Sequence, residues 1–284
     1  MNSTVFHAIA GIRQALAASR ADGKRIGFVP TMGALHAGHA QLLEQGRQNC
    51  DVLVASIFVN PLQFDRREDY ELYARTLPRD LELCGKTGVD MVFAPDQGEM
   101  YGSGVATFVE VSGLGDHYCG RSRPGHFRGV ATVVAKLFHI IEPRAAWFGE
   151  KDAQQLAIIR RMVADLNFPI AIVGVETVRE EDGLALSSRN VRLSPEERRK
   201  APAIYRALRA VEEAVESGET SAVSALARGL AILEQAGIAI DYFDLADPAT
   251  MAPITQVRGP ARAMAAAWLG RTRLIDNLLC IRRK

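Results

Sequence analysis

The first two thirds of the sequence alternate between short, uninterrupted apolar runs and stretches with helical periodicity, and this alternation constrains the fold more than any other feature. A strand that is apolar at every position is buried on both faces, which is typical of a parallel sheet covered by helices. Right-handed crossovers then predict an α/β fold with a Rossmann-like, doubly wound parallel sheet. The predicted strands are residues 26–29, 52–59, 89–93, 145–148 and 170–175, and the predicted helices are 40–48, 77–86, 129–141 and 153–166.

The C-terminal third follows a different pattern, in which helices come first and strands last. Ser194-Pro195-Glu196-Glu197 predicts a helix start, because the serine caps free N–H groups, proline fits the first turn and acids favour the positive helix end. We expect this helix to reach about residue 217 and a second to span 221–235. Three strands follow at 240–245, 263–269 and 273–279, the last two joined through Gly270-Arg271. The predicted domains are 1–186, which is Rossmann-like, and 187–284, a smaller α+β domain that closes over the site.

Charge and hydropathy argue against two classes of partner. The chain carries 34 Lys and Arg against 33 Asp and Glu, a formal net charge of +1, so no global positive field attracts nucleic acid or an anionic membrane. No segment approaches the roughly 18 consecutive apolar residues of a transmembrane helix. We therefore expect neither a nucleic-acid nor a membrane partner, and any anion-binding site must be local.

Cysteine usage and the N-terminal sequence predict a cytoplasmic protein. The four cysteines are widely spaced and form neither C-x-x-C nor a zinc-site pattern, which is typical of buried thiols in a reducing compartment. The first residues also lack the basic segment and long apolar run of a signal peptide.

Polar, cationic or small residues follow four of the predicted strands directly. In doubly wound sheets, ligands bind beyond the carboxyl ends of the strands, so these segments are the first candidates for a functional site. Each could be an ordinary solvated loop, but four at one sheet edge favour a site. The segments are 31–39, 60–64, 149–155 and 184–190.

The first of these segments contains His36-x-Gly38-His39 and predicts phosphate chemistry. Gly33 and Gly38 allow a ligand to approach the backbone closely. The helix that follows presents free N–H groups and a positive dipole end, and two imidazoles can donate to phosphate oxygens. The alternative is a turn with two surface histidines, because short motifs also match by chance.

The remaining segments supply partners for a phosphate and a small substrate. Lys151 at a strand-to-helix junction and the Ser187-Ser188-Arg189 loop suit a triphosphate, since Arg binds phosphate as a bidentate fork. Gln63 and Gln155 are candidates for orienting hydroxyl and carboxylate groups of a substrate. Solvated side chains in polar loops are the alternative for each. No P-loop, G-x-G-x-x-G, G-x-S-x-G or H-E-x-x-H occurs, so the nucleotide interpretation depends on the histidine element and these partners.

Five blocks of sequence together carry a family resemblance. The histidine element with a late Ser/Arg loop resembles the nucleotidyltransferase superfamily that includes class I aminoacyl-tRNA synthetases. With the other blocks, the whole chain resembles the pantothenate synthetase (pantoate–β-alanine ligase) family. The blocks are P-T-M-G-A-L-H-A-G-H (30–39), F-V-N-P-L-Q-F (58–64), R-P-G-H-F-R-G-V (123–130), G-E-K-D-A-Q-Q-L (149–156) and D-G-L-A-L-S-S-R-N (182–190).

The resemblance implies an ATP-dependent, AMP-forming ligase that needs Mg²⁺ and acts as a homodimer. The carboxylate of (R)-pantoate attacks the α-phosphate of ATP, which gives pantoyl adenylate and pyrophosphate. The amine of β-alanine then attacks the adenylate, which gives pantothenate, a precursor of coenzyme A, and AMP. Since no protein nucleophile is needed, catalysis should consist of positioning and charge stabilisation.

The same resemblance implies a role for each site residue. His36, His39, Lys151 and Arg189 are the expected catalytic residues, with His39 in the family's proton-donor role. Asp80 is the expected Mg²⁺ contact, and Arg123 and His126 lie in a segment expected to form a lid. Thr31, Met32, Gln63 and Gln155 are expected to bind pantoate, with Gln63 also near β-alanine. The expected nucleotide site consists of Met32, Gly33, Ala34, Leu35, His36, Ala37, Gly38, His39, Gly149, Glu150, Lys151, Asp152, Val178, Leu186, Ser187, Ser188 and Arg189.

Three alternatives remain at this point. One is an adenylyltransferase that keeps AMP in its product, another an RNA-binding protein, which the charge balance disfavours, and the third a non-catalytic nucleotide-binding module. Ala74, Cys119 and Glu176 depart from the family pattern, outside the five blocks, and concern loop conformation or subunit contacts more than the reaction.

Overall fold

A computed structural model describes residues 3–282 of the chain, which divide into two compact units. The first unit comprises the chain up to Gly115 together with Cys119–Glu150 and Ile158–Glu176. The second comprises Asp116–Tyr118, Lys151–Ala157 and the chain from Thr177 onward. Short segments around residues 117 and 154 thus belong to the second unit although they lie between stretches of the first.

The first unit contains a six-stranded, fully parallel sheet in the order β1-β4-β3-β2-β5-β6. After β2 the chain adds β3 and β4 on one side of β2, and it later adds β5 and β6 on the other side. The topological switch point of the sheet therefore lies between β2 and β5. The predicted fold class is confirmed. The elements up to residue 176 are β1 (Thr4–Phe6), α1 (Ile9–Ala21), β2 (Ile26–Thr31), α2 (Ala37–Asn49), β3 (Val52–Ile57), α3 (Arg67–Glu71), α4 (Leu77–Lys86), β4 (Met91–Phe93), α5 (Gln97–Tyr101), α6 (Tyr118–Ser122), α7 (His126–Ile141), β5 (Ala145–Gly149), α8 (Ala153–Asp165) and β6 (Ala171–Val175).

The sheet of the first unit is buried because its central strands are apolar on both faces. Phe28, Leu53 and Phe93 are fully buried, and Trp147 is 2% exposed among the residues that pack with α2 and α4. At about 25 cal/mol per Å² of apolar surface removed from water, such residues supply the main stabilisation of the sheet. The strand ends at which the candidate site lies therefore extend from a well-packed sheet.

The second unit contains a three-stranded antiparallel sheet in the order β7-β8-β9. Leu269 pairs with Thr272, so Gly270 and Arg271 form a two-residue hairpin turn, as predicted. The helices and strands after residue 177 are α9 (Pro195–Lys200), α10 (Ala203–Glu216), α11 (Ala222–Gln235), β7 (Ala239–Ala246), β8 (Ala261–Leu269) and β9 (Thr272–Cys280). The buried residues of α10 recur at helical spacing and pack in one core with β8 and β9.

Several elements differ from the prediction. The elements β1, α1, α3, α5 and α6 were not predicted. All of them except α1 have five residues or fewer, and such short elements give almost no periodic signal. The single helix expected from Ser194 to about residue 217 is two helices, α9 and α10. Pro202 stands between them, and proline lacks the N–H that would continue the hydrogen-bond ladder.

All four cysteines are buried free thiols. Burial raises the pKa of Cys84 and of Cys280 to about 12, so both remain protonated and unreactive near neutral pH. Within residues 3–282, no helix is both long enough and apolar enough to cross a membrane.

Candidate active site

The turn after β2 is folded back by short hydrogen bonds. Oγ1 of Thr31 donates to the carbonyl of Ser56 on β3 at 2.7 Å and accepts the N–H of Gly33 at 3.1 Å. Gly33 has a φ of +82°, and a Cβ there would lie 3.0 Å from Oδ2 of Asp80, so this position requires glycine. Ala34 also has a positive φ, +52°, which costs a non-glycine residue about 1–2 kcal/mol. The backbone thus takes a strained path just before the two histidines.

His36 and His39 cap one another at the start of α2. Nδ1 of His36 accepts the N–H of Gly38 at 3.1 Å, and Nδ1 of His39 accepts the N–H of His36 at 3.3 Å. Because a backbone N–H can only donate, both Nδ1 atoms are acceptors, and each neutral ring carries its proton on Nε2. The ring centroids are 4.2 Å apart. Two imidazoles of the same tautomer therefore lie at the positive end of a helix whose first turn contains no acid.

Gln63 is held in one orientation after β3. It is 8% exposed in the 3₁₀ turn Pro61–Gln63. Its Oε1 accepts Nδ2 of Asn60 at 3.1 Å, and its Nε2 lies 3.0 Å from Sδ of Met32. Oδ1 of Asn60 accepts the hydroxyl of Tyr101 at 2.6 Å. The structure thus brings together Gln63 and Met32, two of the four residues expected to bind pantoate.

Arg123 and His126, expected in a lid, support the backbone of Gln63. Nδ1 of His126 donates to the Gln63 carbonyl at 2.7 Å, and Nη2 of Arg123 donates to the same oxygen at 3.3 Å. The helix α7, which begins at His126, packs directly on this turn, since a Cβ at Gly129 would lie 2.1 Å from the carbonyl oxygen of Leu62. The position of Gln63 is therefore fixed from both its side chain and its backbone.

Asp80, the expected Mg²⁺ contact, is 1% exposed on α4. Its Oδ1 accepts the N–H of Leu35 at 2.8 Å, and its Oδ2 accepts the N–H of Ala34 at 3.0 Å. The hydroxyl of Thr76 lies 3.1 and 3.2 Å from the two oxygens. Among residues 3–282, no three His, Cys, Asp or Glu side chains are grouped to hold a metal ion. The donors around Asp80 do not fit a preformed Mg²⁺ site.

Lys151 lies in the 3₁₀ turn Glu150–Asp152, between β5 and α8. Its backbone is held within the second unit, because Nδ2 of Asn277 on β9 donates to the Lys151 carbonyl at 2.9 Å. Asn277 is 4% exposed, and its Oδ1 accepts Nη1 of Arg262. Gly149 ends β5 directly before the turn.

The loop of Ser187, Ser188 and Arg189 follows a segment whose backbone is hydrogen-bonded to an earlier part of the chain. The N–H of Leu186 donates to the carbonyl of Val178 at 2.9 Å, which joins two residues expected to border the nucleotide. The N–H of Arg189 then donates to Oγ of Ser187 at 3.2 Å. Ser188 lies between them and is half-buried.

The edge strand β9 contacts both residues that are expected to bind phosphate, Lys151 through its backbone and Arg189 through its guanidinium. Nη1 of Arg189 donates to the carbonyl of Arg273 at 3.3 Å, and Asn277, four residues further along, holds the Lys151 backbone. The two contacts lie in the second unit. This unit therefore assembles Lys151 and Arg189 on one structural element.

The two glutamines that open α8 differ in environment. Gln154 is 3% exposed, and its Nε2 donates to the carbonyl of His117 at 2.8 Å. Gln155 is half-buried. Because neighbouring residues on a helix point about 100° apart, Gln154 is a structural residue and Gln155 remains the candidate for a substrate.

Each unit contains some of the predicted site residues. In the first unit, the residues around the ends of β2 and β3 are Thr31, Met32, Gly33, Ala34, Leu35, His36, Ala37, Gly38, His39, Gln63 and Asp80. Gly149 and Glu150 are the last residues of this unit before Lys151. The second unit contains Lys151, Asp152, Gln155, Val178, Leu186, Ser187, Ser188 and Arg189.

The residues that hold these side chains in place were not predicted from the sequence. Asn60 had a readable signal, since asparagine before proline is typical of a capped turn, and its Oδ1 accepts the N–H of Leu62 at 3.3 Å. Asn277 and Arg273 had none, because their partners are 126 and 84 residues away in the sequence.

A separate cavity of about 660 Å³ opens in the first unit at the opposite edge of the sheet. It is lined by the starts of β2, β5 and β6, including Ile26, Arg144 and Ile170. None of the predicted site residues lines it. Ligands of doubly wound sheets bind at the carboxyl ends of the strands, so this cavity is distinct from the candidate active site.

Comparisons with known proteins match nearly the whole chain to one family. The family model for pantoate-beta-alanine ligase matches residues 4–279. A pantothenate synthetase of Moorella thermoacetica is 51% identical over 272 residues, which cover 95% of this chain and 96% of the relative. One from Stutzerimonas stutzeri is 50% identical over 273 residues, with coverage of 95% and 96%.

Solved structures of proteins from the same family superpose on nearly the whole chain. A pantothenate synthetase from Thermus thermophilus superposes with a TM-score of 0.93 at 49% identity, covering 98% of this chain and 99% of that one. A pantoate-beta-alanine ligase from Francisella tularensis, complexed with beta-gamma ATP and beta-alanine, gives a TM-score of 0.81 at 33% identity, with coverage of 98% and 97%.

Proposed function

This chain belongs to the pantoate-beta-alanine ligase family, and from that premise we propose which of its residues perform the reaction. The protein is a ligase that forms pantothenate from pantoate and β-alanine in an ATP-dependent reaction. A carboxylate does not react with an amine until one of its oxygens becomes part of a good leaving group. The residues of this chain therefore have to position three substrates and stabilise charge on phosphate.

The reaction proceeds in two balanced steps. A carboxylate oxygen of pantoate attacks the α-phosphorus of ATP, the bond from that phosphorus to the bridging oxygen breaks, and pyrophosphate leaves. The amine of β-alanine then attacks the acyl carbon of pantoyl adenylate. The carbon–oxygen bond to AMP breaks, and the nitrogen loses a proton. Negative charge accumulates on phosphate oxygens in both steps, so hydrogen-bond donors fixed beforehand are the main requirement.

His36 and His39 supply these donors at the α-phosphate, and their mutual capping is the observation that carries the proposal. Each Nδ1 accepts a backbone N–H, so the ring orientations and tautomers are set before substrate binds. Nε2–H is then the atom of each ring that donates to a phosphate oxygen, with His39 also the proton donor. Charge stabilisation of this kind costs no reorganisation during the reaction.

Lys151 and the loop of Ser187, Ser188 and Arg189 hold the remaining phosphates. Support for this role comes from β9, which ties the backbone at Lys151 and the guanidinium of Arg189. Arg presents a planar fork to phosphate oxygens, whereas Lys acts as a point charge. The rest of the nucleotide contacts Met32, Gly33, Ala34, Leu35, Ala37, Gly38, Gly149, Glu150, Asp152, Val178 and Leu186.

Pantoate binds to Gln63 and Gln155, with Thr31 and Met32 beside them. Gln63 supports this role best, because Asn60 already engages its amide oxygen and leaves its Nε2 directed towards Met32. An amide held in one orientation discriminates between hydrogen-bond donors and acceptors of a ligand. β-Alanine lies near Gln63, so that its amine reaches the acyl carbon.

The remaining parts of the proposal concern the whole protein. Mg²⁺ enters with ATP, since it prefers phosphate oxygens and keeps several waters. The protein forms a homodimer in the cytoplasm, which sedimentation and cell fractionation test. Limited proteolysis tests the division into domains 1–186 and 187–284, which predicts cleavage near residue 187.

An isotope experiment tests the central step. Pantoate labelled with ¹⁸O in its carboxylate is incubated with ATP and β-alanine, and the products are analysed by mass spectrometry. We expect one label in AMP, because the attacking oxygen stays on the α-phosphorus. Label in inorganic phosphate would show attack at the γ-phosphate instead. AMP retained in the final product would favour an adenylyltransferase.

A further inference from the structure

The turn that leads to the two histidines is held by a carboxylate from another helix. Asp80 on α4 reaches across to accept the successive N–H groups of Ala34 and Leu35, at 3.0 and 2.8 Å. Successive backbone N–H groups in a turn form a small concavity that attracts an anion. The carboxylate of Asp80 occupies this concavity as a permanent anion of the protein.

The hydrogen bonds of Asp80 leave little room for a cation. The two oxygens face three donors, two N–H groups and the hydroxyl of Thr76, and the residue is 1% exposed. Mg²⁺ requires an oxygen ligand at about 2.0–2.1 Å in an octahedral shell. A carboxylate oxygen can accept an N–H and bind a cation together, but Mg²⁺ also needs several further oxygen ligands or waters around it, and a side chain that is 1% exposed gives them little space.

The held N–H groups lie directly before His36. Leu35 precedes the N-cap residue of α2, and the N–H of His36 itself donates to His39. Because Gly33 and Ala34 both have positive φ values, this path of the backbone needs external support. Asp80 provides it from a residue 45 positions away in the sequence.

We infer that Asp80 is a positioning residue of the reaction, which sets the direction of both imidazoles by holding the turn at Ala34 and Leu35, and that it is not a Mg²⁺ ligand. The catalytic role of the histidines in this inference rests on the proposed function. Its structural part, the support of the turn, does not depend on any substrate.

Amide hydrogen exchange of the protein without ATP or Mg²⁺ tests the structural part. Asp80→Asn keeps the size of the side chain but replaces one oxygen by an NH₂ group, which faces an N–H donor. We expect exchange at Ala34 and Leu35 to accelerate about tenfold or more, the scale of losing a hydrogen bond to a charged acceptor. Asp90→Asn is the matched control, because Asp90 also accepts a backbone N–H, that of Leu53 at 2.7 Å, in the same unit. Asp90→Asn should leave exchange at Ala34 and Leu35 unchanged.

Kinetics distinguish a positioning residue from a metal ligand. In Asp80→Asn, we expect kcat for adenylate formation to fall about 10²-fold, because small displacements of catalytic groups have effects of this size. The KM for pantoate and the free Mg²⁺ concentration at half-maximal rate should stay as in the wild type. A metal ligand would show the reverse, with a large increase in the Mg²⁺ requirement and unchanged exchange at the turn.

Thr76→Val is a second variant in case Asp80→Asn does not fold. It removes one donor to the same carboxylate and leaves both N–H contacts possible. We expect a smaller acceleration of exchange at the same two residues, about two- to threefold for a weakened hydrogen bond. Unchanged exchange in both folded variants, or in Thr76→Val alone if the other cannot be purified, would overturn the inference.

Discussion

The backbone N–H of His36 donates to Nδ1 of His39, three residues further along, at 3.3 Å. Nδ1 of His36 accepts in turn from Gly38, so each imidazole is both a helix cap and a candidate catalytic group. The two functions use different ring atoms. Nδ1 serves the helix, and Nε2 is the atom assigned to phosphate, which allows substitutions to separate them.

Two substitutions of His39 separate its structural and chemical functions. His39→Asn keeps an oxygen acceptor near the position of Nδ1 but lacks the distal N–H. We expect thermal stability close to that of the wild type and adenylation slower by about 10²–10³-fold, the effect of removing one fixed donor. His39→Gln keeps a distal N–H but lacks the proximal acceptor. It should lose about 0.5–2 kcal/mol of stability, as lost caps do, and retain more activity than His39→Asn.

The half-reactions provide the control for His39. Attack of β-alanine on preformed pantoyl adenylate should suffer less than adenylation, since the carboxylate is already activated. If His39→Gln unfolds readily while His39→Asn keeps both wild-type stability and wild-type adenylation, the histidine is mainly structural. A larger loss in the second half-reaction would assign His39 to amide formation.

Arg189→Ala should lower the single-turnover rate of adenylation by about 10²-fold, because a bidentate donor to phosphate is lost. Arg192→Ala is a suitable control, since Arg192 lies in the same loop and is exposed. Rapid-quench measurement of pantoyl adenylate gives both rates. An equal rate for wild type and Arg189→Ala would remove this residue from the mechanism.

Neighbouring glutamines give a matched pair for pantoate. Gln155→Ala should raise the KM for pantoate, since a polar group of the substrate loses a partner worth about 1–3 kcal/mol, and should change the KM for ATP little. Gln154→Ala should instead lower stability, because the carbonyl of His117 loses its buried donor. Steady-state kinetics and urea unfolding of both variants measure these effects. Equal increases in both KM values for Gln155→Ala would indicate a general structural role.

Acid stability should depend on Asp51. The Arg25 side chain and then its backbone N–H hold the pKa of Asp51 at about 2, below its ordinary value of 3.8. The pKa is lower in the folded protein, so this contact stabilises the fold above about pH 4 and the contribution is lost as the pH falls towards 2. Thermal unfolding of Asp51→Asn between pH 2 and 6 should therefore show a shallower acid limb than the wild type, most clearly at low salt.

The parts of the fold that could be predicted from sequence are those encoded locally. The apolar runs and glycine positions identified β2, the turn after it and the start of α2, because periodicity and backbone freedom act over a few residues. The break at Pro202 could also have been predicted, because proline interrupts a helix, but the prediction of a single helix did not take it into account. The strand β1 was not readable, since three residues carry no period.

The supports of the site could not be predicted, because each joins distant segments. Asp80 and Leu35 are 45 residues apart, and Asn277 and Lys151 are 126 apart. One sequence contains no signal for such pairs, since an asparagine on an edge strand looks the same whether it faces water or a carbonyl. Candidate side chains for the reaction could thus be proposed from the sequence, whereas the groups that orient them are visible only in the structure.

The two-residue hairpin between β8 and β9 has a consequence for how this family can vary in length. It fixes the register of β9 against β8 from Leu269–Thr272 onward, and β9 in turn carries the contacts to Arg189 and to the Lys151 backbone. One residue inserted at Gly270-Arg271 would turn every side chain of β9 to the opposite face, including Asn277, if it shifted the strand pairing by one position. The length of an exposed surface turn is therefore constrained by the candidate site, and we expect natural insertions to be rarer there than at other surface turns.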